Sequence, residues 1–211
     1  MKLYQYGSSL KYNILGKSDK CKDFDYIIEC NSNHKREILG RFIHMIADEV
    51  TTNSFGGFKL KMKSGTTVDI DFCRDLSVEY RRFMELNSDG IFYDIIKDQF
   101  FFPERFYKDY IYDSKVYVIE GAVPHPNNTG RSIDRIAHAI ALQPLLLLND
   151  NKHHRNNKML NIDTSVETQL LLELIALCNL KNVIVVESIH EYYREIISLL
   201  DVTEKVNEKL K

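Results

Sequence analysis

Alternation of polar and apolar residues, and in one case an apolar run, predict four β-strands in the first 74 residues. They cover residues 3–6, 22–30, 59–63 and 66–74, and Ser64 with Gly65 forms a hairpin turn between the last two. Apolar residues at helical spacing predict one helix that is capped by Ser8 or Ser9 and stops at Gly16, and a second over residues 34–50. Strands and helices together predict an α+β domain.

Helical patterns dominate the second half of the chain. A linker rich in proline and asparagine at residues 124–128 precedes a helix that Ser132 caps. Residues 149–158 predict a polar, solvated loop, with contact to RNA phosphates as the alternative. Two more helices are predicted over residues 160–180 and 187–200. We therefore expect residues 1–122 to form the α+β domain and residues 123–211 a small, all-helical domain.

Composition narrows the class of protein without identifying it. With 211 residues, 44% of them hydrophobic, the chain can bury a real core, and its net charge of −2 argues against a strongly basic nucleic-acid coat. The four cysteines lack a C-x-x-C pair, which favours free thiols over a zinc site and predicts a reducing, cytoplasmic location. No stretch of about 18 apolar residues is present, so we expect no membrane partner.

Paired aspartates stand on two of the predicted strands. Asp23 and Asp25 share one face of their strand, roughly 7 Å apart, and so do Asp69 and Asp71 on theirs. If the two strands are neighbours, at least three carboxylates converge on one sheet edge. Like charges at this spacing repel unless a cation or a proton lies between them, which makes the cluster a candidate Mg²⁺ site. A solvated sheet face is the alternative.

The turn at Gly7 and Ser8 offers a second candidate element. It leads from a strand into a helix, and the first backbone N–H groups of a helix bind anions such as phosphate. An ordinary helix cap is the simpler explanation for this turn taken alone. Together with the carboxylates, however, a phosphate site is what metal-dependent phosphoryl transfer requires.

The order of these motifs resembles the class II CCA-adding enzymes and bacterial poly(A) polymerases of the polymerase-β-like nucleotidyltransferase superfamily. The family's opening Gly-Gly-x-Val-Arg-Asp-x-x-Leu-Gly is similar to residues 7–16, and its Asp-x-Asp to Asp23-Phe24-Asp25. Its Val-Asp-x-x-x-x-Arg segment is similar to residues 68–74, which selects Asp69 as the third metal ligand. The resemblance covers about residues 1–200. It implies a nucleotidyltransferase-type mixed sheet with helices, the head, closed by a strand at residues 115–121 and followed by a helical neck.

The resemblance also implies nucleotide contacts, some at positions where the chain departs from the family. Gly7 and Ser8 would hold the triphosphate, and Lys11, in place of an arginine, would neutralise it. The family's Arg-Arg-Asp becomes Asn-Ser-Asp, so that only Asp89 is kept to contact the ribose. Arg135 matches the family's base-reading arginine, whereas Ser132 replaces its aspartate, a change that alters or weakens base selection.

The function implied is metal-dependent addition of nucleotides from CTP or ATP to an RNA 3′ end, with tRNA CCA-end addition or repair as the leading form. Asp23, Asp25 and Asp69 would be the catalytic, Mg²⁺-binding residues. A nucleotidyltransferase acting on another RNA, a protein or a small molecule is one alternative. A non-catalytic nucleotide- or RNA-binding protein on the same scaffold is another. The body and tail domains of longer family members do not follow in this chain, so a homodimer would provide further RNA-binding surface.

Overall fold

The computed structural model describes residues 1–17, 21, 23–53, 55–119 and 129–156, together with residues 168, 170–172, 174, 175 and 178. For residues 129–134 and 149–156 it describes the backbone alone. The predicted linker at 124–128 and the predicted helix at 187–200 lie outside these residues. The described residues between 168 and 178 are helical, in agreement with the helix predicted there.

A seven-stranded mixed sheet forms the centre of the structure, with the order β3-β4-β5-β2-β1-β6-β7. The β2–β5 pair is parallel and the other pairs are antiparallel. The predicted α+β fold with a mixed sheet is therefore confirmed, as are the four predicted strands, which correspond to β1, β2, β4 and β5. The strands are β1 Lys2–Tyr6, β2 Asp23–Glu29, β3 Glu49–Thr52, β4 Phe58–Lys61, β5 Thr67–Cys73, β6 Phe92–Asp94 and β7 Gln99–Phe101.

Within the described part of residues 1–156, five α-helices and two 3₁₀ turns accompany the sheet. The second helix follows from its sequence: the hydroxyl of Ser32 accepts a hydrogen bond from the Lys35 backbone N–H at 3.3 Å, and a buried apolar stripe faces the sheet. This helix ends at Ile46 rather than Val50, because Glu49 and Val50 pair with β4. The helices are α1 Gly7–Ile14, α2 Asn33–Ile46, α3 Leu76–Glu79, α4 Phe106–Ile111 and α5 Thr129–Asn156, and the 3₁₀ turns are Tyr80–Phe83 and Asn87–Asp89.

Two predicted helix caps are wrong. The N-cap of α1 is Tyr6, and no side chain caps this helix; Ser9 instead donates its hydroxyl to the Tyr6 carbonyl at 3.0 Å. Ser132 lies inside α5, which begins three residues earlier at Thr129. The end of α1 does agree with the prediction, since Gly16 adopts φ +65°, the left-handed conformation that terminates helices.

Two predicted segments take other forms. Residues 149–156 continue α5 as helix instead of forming a loop, because their polar composition does not oppose helical backbone hydrogen bonding. The strand predicted at 115–121 is reduced, over its described residues 115–119, to one bridge between Val118 and Leu86. The side chain of Asn87 accepts from the Tyr117 N–H and donates to the Lys115 carbonyl, which holds this segment against the Asn87–Asp89 turn instead of a sheet edge.

Apolar side chains cover both faces of the sheet. On one face, Tyr26, Ile28 and Ile70 pack against α2 and against Leu171 and Leu174 from the second half of the chain. On the other face, Tyr4, Tyr6 and Ile27 pack with residues of the 76–92 segment. A third cluster joins α1, α4 and α5, where the Tyr110 hydroxyl donates to the Ala139 carbonyl at 2.6 Å.

All four cysteines are free, as their spacing predicts. Among the helices described, none combines the length and the apolarity that crossing a membrane requires.

Candidate active site

The sheet brings the predicted carboxylates side by side. Because β2 and β5 are parallel neighbours in register, Asp25 lies directly opposite Asp69, with Asp23 two residues before Asp25 and Asp71 two residues after Asp69. Residues two apart on a strand face the same side, so all four acids point to one face. The segment containing α2, β3 and β4 provides the long crossover that a parallel pair needs. The two acidic strands are therefore neighbours, which is the condition under which the sequence brings the carboxylates together.

These acids line a cleft of about 750 Å³ between the sheet, α1 and α5. Every predicted site residue whose side chain the structure describes lines this cleft: Gly7, Ser8, Lys11, Asp23, Asp25, Asp69, Asp89 and Arg135. Ser132 stands three residues before Arg135 in α5, and its side chain is outside the described part. The structure thus gathers residues that are up to 128 positions apart in the chain, Gly7 and Arg135, around one cavity.

The position of Asp25 disfavours the ionised form of its carboxyl group. Burial raises the pKa of its carboxyl to about 7, and the neighbouring Asp69, Asp71 and Asp23 contribute in the same direction. Its carboxylate packs against Gly7, whose φ is +67°, and a Cβ atom at Gly7 would lie 2.6 Å from Asp25 Oδ2. The cleft therefore holds more negative charge than its own cations balance at this position.

Asp69 and Asp71 differ in how their oxygens are bonded. Asp69 Oδ2 lies 3.5 Å from Lys59 Nζ, whereas its buried Oδ1 has no hydrogen-bond partner among the described residues. Asp71 is 2% exposed, and its two oxygens accept from Asn53 Nδ2 at 2.7 Å and the Tyr6 hydroxyl at 2.8 Å. Asp71 is thus a satisfied structural acid, and Asp69 has a buried oxygen available for a ligand.

The donor set fits Mg²⁺ as a two-carboxylate site. Within the described residues, no three His, Cys, Asp or Glu side chains already stand together as a metal-ligating group. Mg²⁺ does not require one, since it commonly binds one or two carboxylates, keeps several waters and takes the remaining oxygens from substrate phosphates. The unpartnered Asp69 oxygen and the raised pKa of Asp25 both indicate that a cation would stabilise this pair. Asp23, the third predicted ligand, is exposed at the start of β2, whereas Asp25 is partly buried.

The N-terminus of α1 faces the same cleft. Tyr6 precedes the helix with extended backbone, its side chain makes no capping hydrogen bond, and the first turn contains no acidic residue. Gly7 and Ser8 line the cavity there. Uncapped backbone N–H groups and the positive end of the helix dipole make this position suitable for an anion such as a phosphate.

Two ion pairs that share Asp89, in the Asn87–Asp89 turn, connect α1 with α5. Lys11 Nζ lies 3.1 Å from Asp89 Oδ1, with both side chains less than 10% exposed, and Arg135 Nη2 lies 3.7 Å from Asp89 Oδ2. Burial alone would raise the pKa of Asp89, but Lys11, Arg135 and the Leu86 N–H together hold it below its ordinary value. The charge of Lys11 is thus balanced by Asp89 within the protein.

Arg135 has a second carboxylate partner that the sequence did not reveal. Its Nη1 lies 2.5 Å from Glu85 Oε2, and Arg135 remains 42% exposed toward the cleft. Arg135 therefore has a carboxylate partner that comes from another element of the fold. Asn53, Phe55, Arg82 and Phe83 also line the cleft without having been predicted as site residues. They lie in loops and turns, where periodicity gives no signal, and only the folded sheet brings them to the acids.

Comparison with known proteins gives likenesses of fold. No protein-family model and no curated protein sequence matches the chain. Solved structures that are similar include a Thermotoga maritima CCA-adding enzyme complexed with tRNA (TM-score 0.45, 18% identity, 82% of this chain and 42% of that one). A tRNA-processing enzyme with CTP gives a TM-score of 0.42 at 17% identity, over 83% of this chain and 52% of that one. A CCA-adding enzyme in complex with ATP gives a TM-score of 0.41 at 19% identity, over 83% of this chain and 43% of that one.

The chain spans only 42–52% of the length of these three neighbours. At these identities and TM-scores, the activities named for the neighbours do not carry over to this chain. The assignment of function below rests on the residues of the cleft.

Proposed function

We propose that the chain is a metal-dependent nucleotidyltransferase that transfers a nucleotide from CTP or ATP to the 3′-hydroxyl of an RNA, with tRNA as the first acceptor to test. One observation carries the proposal: Asp25 and Asp69 stand opposite each other on parallel strands, in the same cleft as the uncapped N-terminus of α1. Carboxylates beside a phosphate-binding helix end are the arrangement that phosphoryl transfer uses.

In the proposed reaction, the 3′-oxygen forms a bond to the α-phosphorus and the bond from that phosphorus to the bridging β-oxygen breaks. Pyrophosphate leaves, and the proton of the hydroxyl passes to solvent. Asp25 and Asp69, with Asp23 at the entrance, would hold Mg²⁺. Mg²⁺ in this position would act as a Lewis acid on the phosphate oxygens and would favour ionisation of the attacking hydroxyl.

Other residues of the cleft would hold the nucleotide. The N–H groups at Gly7 and Ser8 would bind the β- and γ-phosphates. Arg135, half-exposed and bonded to Glu85, would contact the base. The buried pairing of Lys11 with Asp89 favours a role in fixing α1 against the Asn87–Asp89 turn, and direct contacts of these two residues with phosphate and ribose stay predictions.

The test is magnesium-dependent incorporation of labelled CTP or ATP, each supplied separately, into tRNA that lacks its 3′ end. Asp69→Asn should lower the rate by roughly 1,000-fold, since a bound metal ion supplies several kcal/mol of transition-state stabilisation. Glu37→Gln, an equivalent change at an exposed acid on α2, should leave the rate unaltered. Absence of turnover with every NTP and RNA acceptor, combined with unchanged NTP binding by Asp69→Ala, would overturn the proposal. Incorporation into a protein or a small molecule instead would reassign the acceptor.

A further inference from the structure

An exposed phenylalanine stands on the wall of the cleft that is formed by the β3–β4 loop. Phe55 is 42% exposed, and its ring centroid lies 6.5 Å from that of Phe83 at an angle of 59°. The guanidinium of Arg82 lies over the Phe83 ring, 5.6 Å from its centroid. Two aromatic rings and a guanidinium thus border a cavity that also contains acidic side chains. This combination is typical of sites that stack single-stranded nucleobases.

The loop that presents Phe55 is anchored to the sheet. Asn53 Oδ1 accepts from the N–H groups of Phe55 at 3.0 Å and Gly57 at 2.7 Å, while Asn53 Nδ2 donates to the buried Asp71. A Cβ atom at Gly57 would lie 2.2 Å from the Ile70 carbonyl oxygen, so the loop is pressed directly onto β5. A fixed turn that holds an exposed aromatic ring is preorganised for binding, which lowers the entropic cost of stacking.

The sheet order locates Phe55 relative to the reaction. Strands β4, β5, β2 and β1 follow one another, so the acids of β5 and β2 lie between the β3–β4 loop on one side and α1, which follows β1, on the other. Attacking and leaving oxygens lie on opposite sides of a phosphorus that undergoes in-line displacement. If the leaving pyrophosphate lies at α1, as the proposed function requires, the attacking strand approaches from the Phe55 side.

We propose that Phe55, backed by Phe83 and Arg82, stacks on the terminal nucleobase of the acceptor RNA. The inference rests on the proposed function and adds the position of the acceptor strand. Stacking on a ring is tolerant of base identity, so this subsite selects for an unpaired end rather than for one base. Arg82 is half-exposed beside the ring, although also paired with Glu79, and adds positive charge near the RNA backbone.

The test measures stacking directly. A short RNA ending in 2-aminopurine is titrated with the full-length chain in the absence of any NTP, and the fluorescence of the terminal base is followed. Stacking should quench this fluorescence. Phe55→Ala should remove the quench and weaken binding by about 10- to 100-fold, the usual effect of removing one stacking ring, and Phe55→Tyr should restore both. Phe102→Ala is the matched control, because Phe102 is also 42% exposed but does not line the cleft.

The outcomes separate the inference from the proposed function. Full quenching and unchanged affinity in Phe55→Ala would overturn the stacking subsite, even in an enzyme that is active. If Phe55 quenches the fluorescence of 2-aminopurine riboside triphosphate but not that of the RNA end, the ring stacks on the incoming nucleotide. That result would overturn the assignment of Phe55 to the acceptor. A Phe55-dependent quench of the RNA end in a chain that incorporates no nucleotide would support the stacking subsite while the transferase proposal fails.

Discussion

At the scale of single residues, Asp25 links the chemistry of the cleft to the stability of the protein. Its pKa is raised from 3.8 to about 7 by burial and by the neighbouring acids. In the unfolded chain the carboxyl titrates near its ordinary value, so the folded protein binds more protons between these two pH values. Stability contributed by this group is therefore highest below about pH 4, falls as the pH rises toward 7, and stays low above it.

We expect Asp25→Asn to stabilise the metal-free protein at pH 8 by roughly 1–3 kcal/mol, because the amide keeps the shape of the carboxyl without its buried charge. At pH 4 the variant should gain nothing, since Asp25 is then protonated. Mg²⁺ should stabilise the natural chain more at pH 8 than at pH 5 and should have little effect on the variant. Urea denaturation at each pH measures these differences. Equal stability of the two proteins at pH 8 would contradict the raised pKa.

The residues of the site could be predicted from the sequence only in part. The spacing of Asp23 and Asp25 on one strand, and of Asp69 on another, is visible because strands have a period of two. The roles of Asn53 and Glu85 are not, because each depends on a partner from a distant element: Asp71 for Asn53 and Arg135 for Glu85. A side chain in a turn carries no periodic signal, and its contacts are fixed only when the sheet has formed.

At the scale of elements, α1 has a glycine with positive φ at each boundary, and the two differ in one respect. Gly7 and Gly16 have φ of +67° and +65°. A Cβ at Gly7 would collide with the carboxylate of Asp25, whereas a Cβ at Gly16 would meet nothing within 4 Å. The left-handed conformation costs an alanine about 1–2 kcal/mol at either position. Substituting alanine at Gly16 therefore tests backbone strain alone, whereas alanine at Gly7 also displaces the Asp25 carboxylate.

We predict that Gly16→Ala loses about 1–2 kcal/mol of stability and that Gly7→Ala loses at least as much, but that only Gly7→Ala loses nucleotide transfer, by roughly 100-fold or more. Displacing Asp25 by the width of a methyl group removes it from its position opposite Asp69. Thermal unfolding and the incorporation assay measure the two effects independently. Equal activity in both variants would show that Asp25 can relax away from Gly7 without consequence.

The elements themselves were predictable where they are long and periodic. The strands β1, β2, β4 and β5 have four to seven residues each, long enough to show an alternating or apolar pattern, and α2 has a continuous apolar stripe. Strands β6 and β7 have three residues each, too few to show alternation, and they exist because β1 and β6 offer a pairing edge. Helix α5 continues through Pro144, although a proline inside a helix argues locally for a break.

At the scale of the whole molecule, contacts cross the boundary that the sequence predicts between residues 122 and 123. Ala139, Leu142 and Leu146 of α5 share a buried cluster with Tyr110 of α4 and Leu10 of α1. The Gln143 side chain donates to the Ile111 carbonyl at 2.8 Å. A linker rich in proline predicts a domain boundary, but sequence periodicity does not reveal which faces of two helices meet across it.

These contacts predict that α5 unfolds together with the sheet as one cooperative unit. Leu146 is fully buried, and Leu146→Ala should lower the free energy of unfolding by about 2–5 kcal/mol. Its neighbour Leu145 is 42% exposed, so Leu145→Ala should change it by less than about 1 kcal/mol. Because the chain has 12 tyrosines and no tryptophan, tyrosine fluorescence can be followed alongside circular dichroism during urea unfolding.

In a single cooperative unit, Leu146→Ala shifts the two signals by the same amount and they remain superimposable. An early circular dichroism transition in the variant, with the tyrosine signal unshifted, would instead show that α5 detaches while the sheet stays folded. The distinction matters for the site, because α5 carries Arg135 into the cleft and Glu85 and Asp89 hold it there. If α5 belongs to the cooperative unit, the folding of the sheet itself fixes the position of the Arg135 guanidinium opposite the acidic strands.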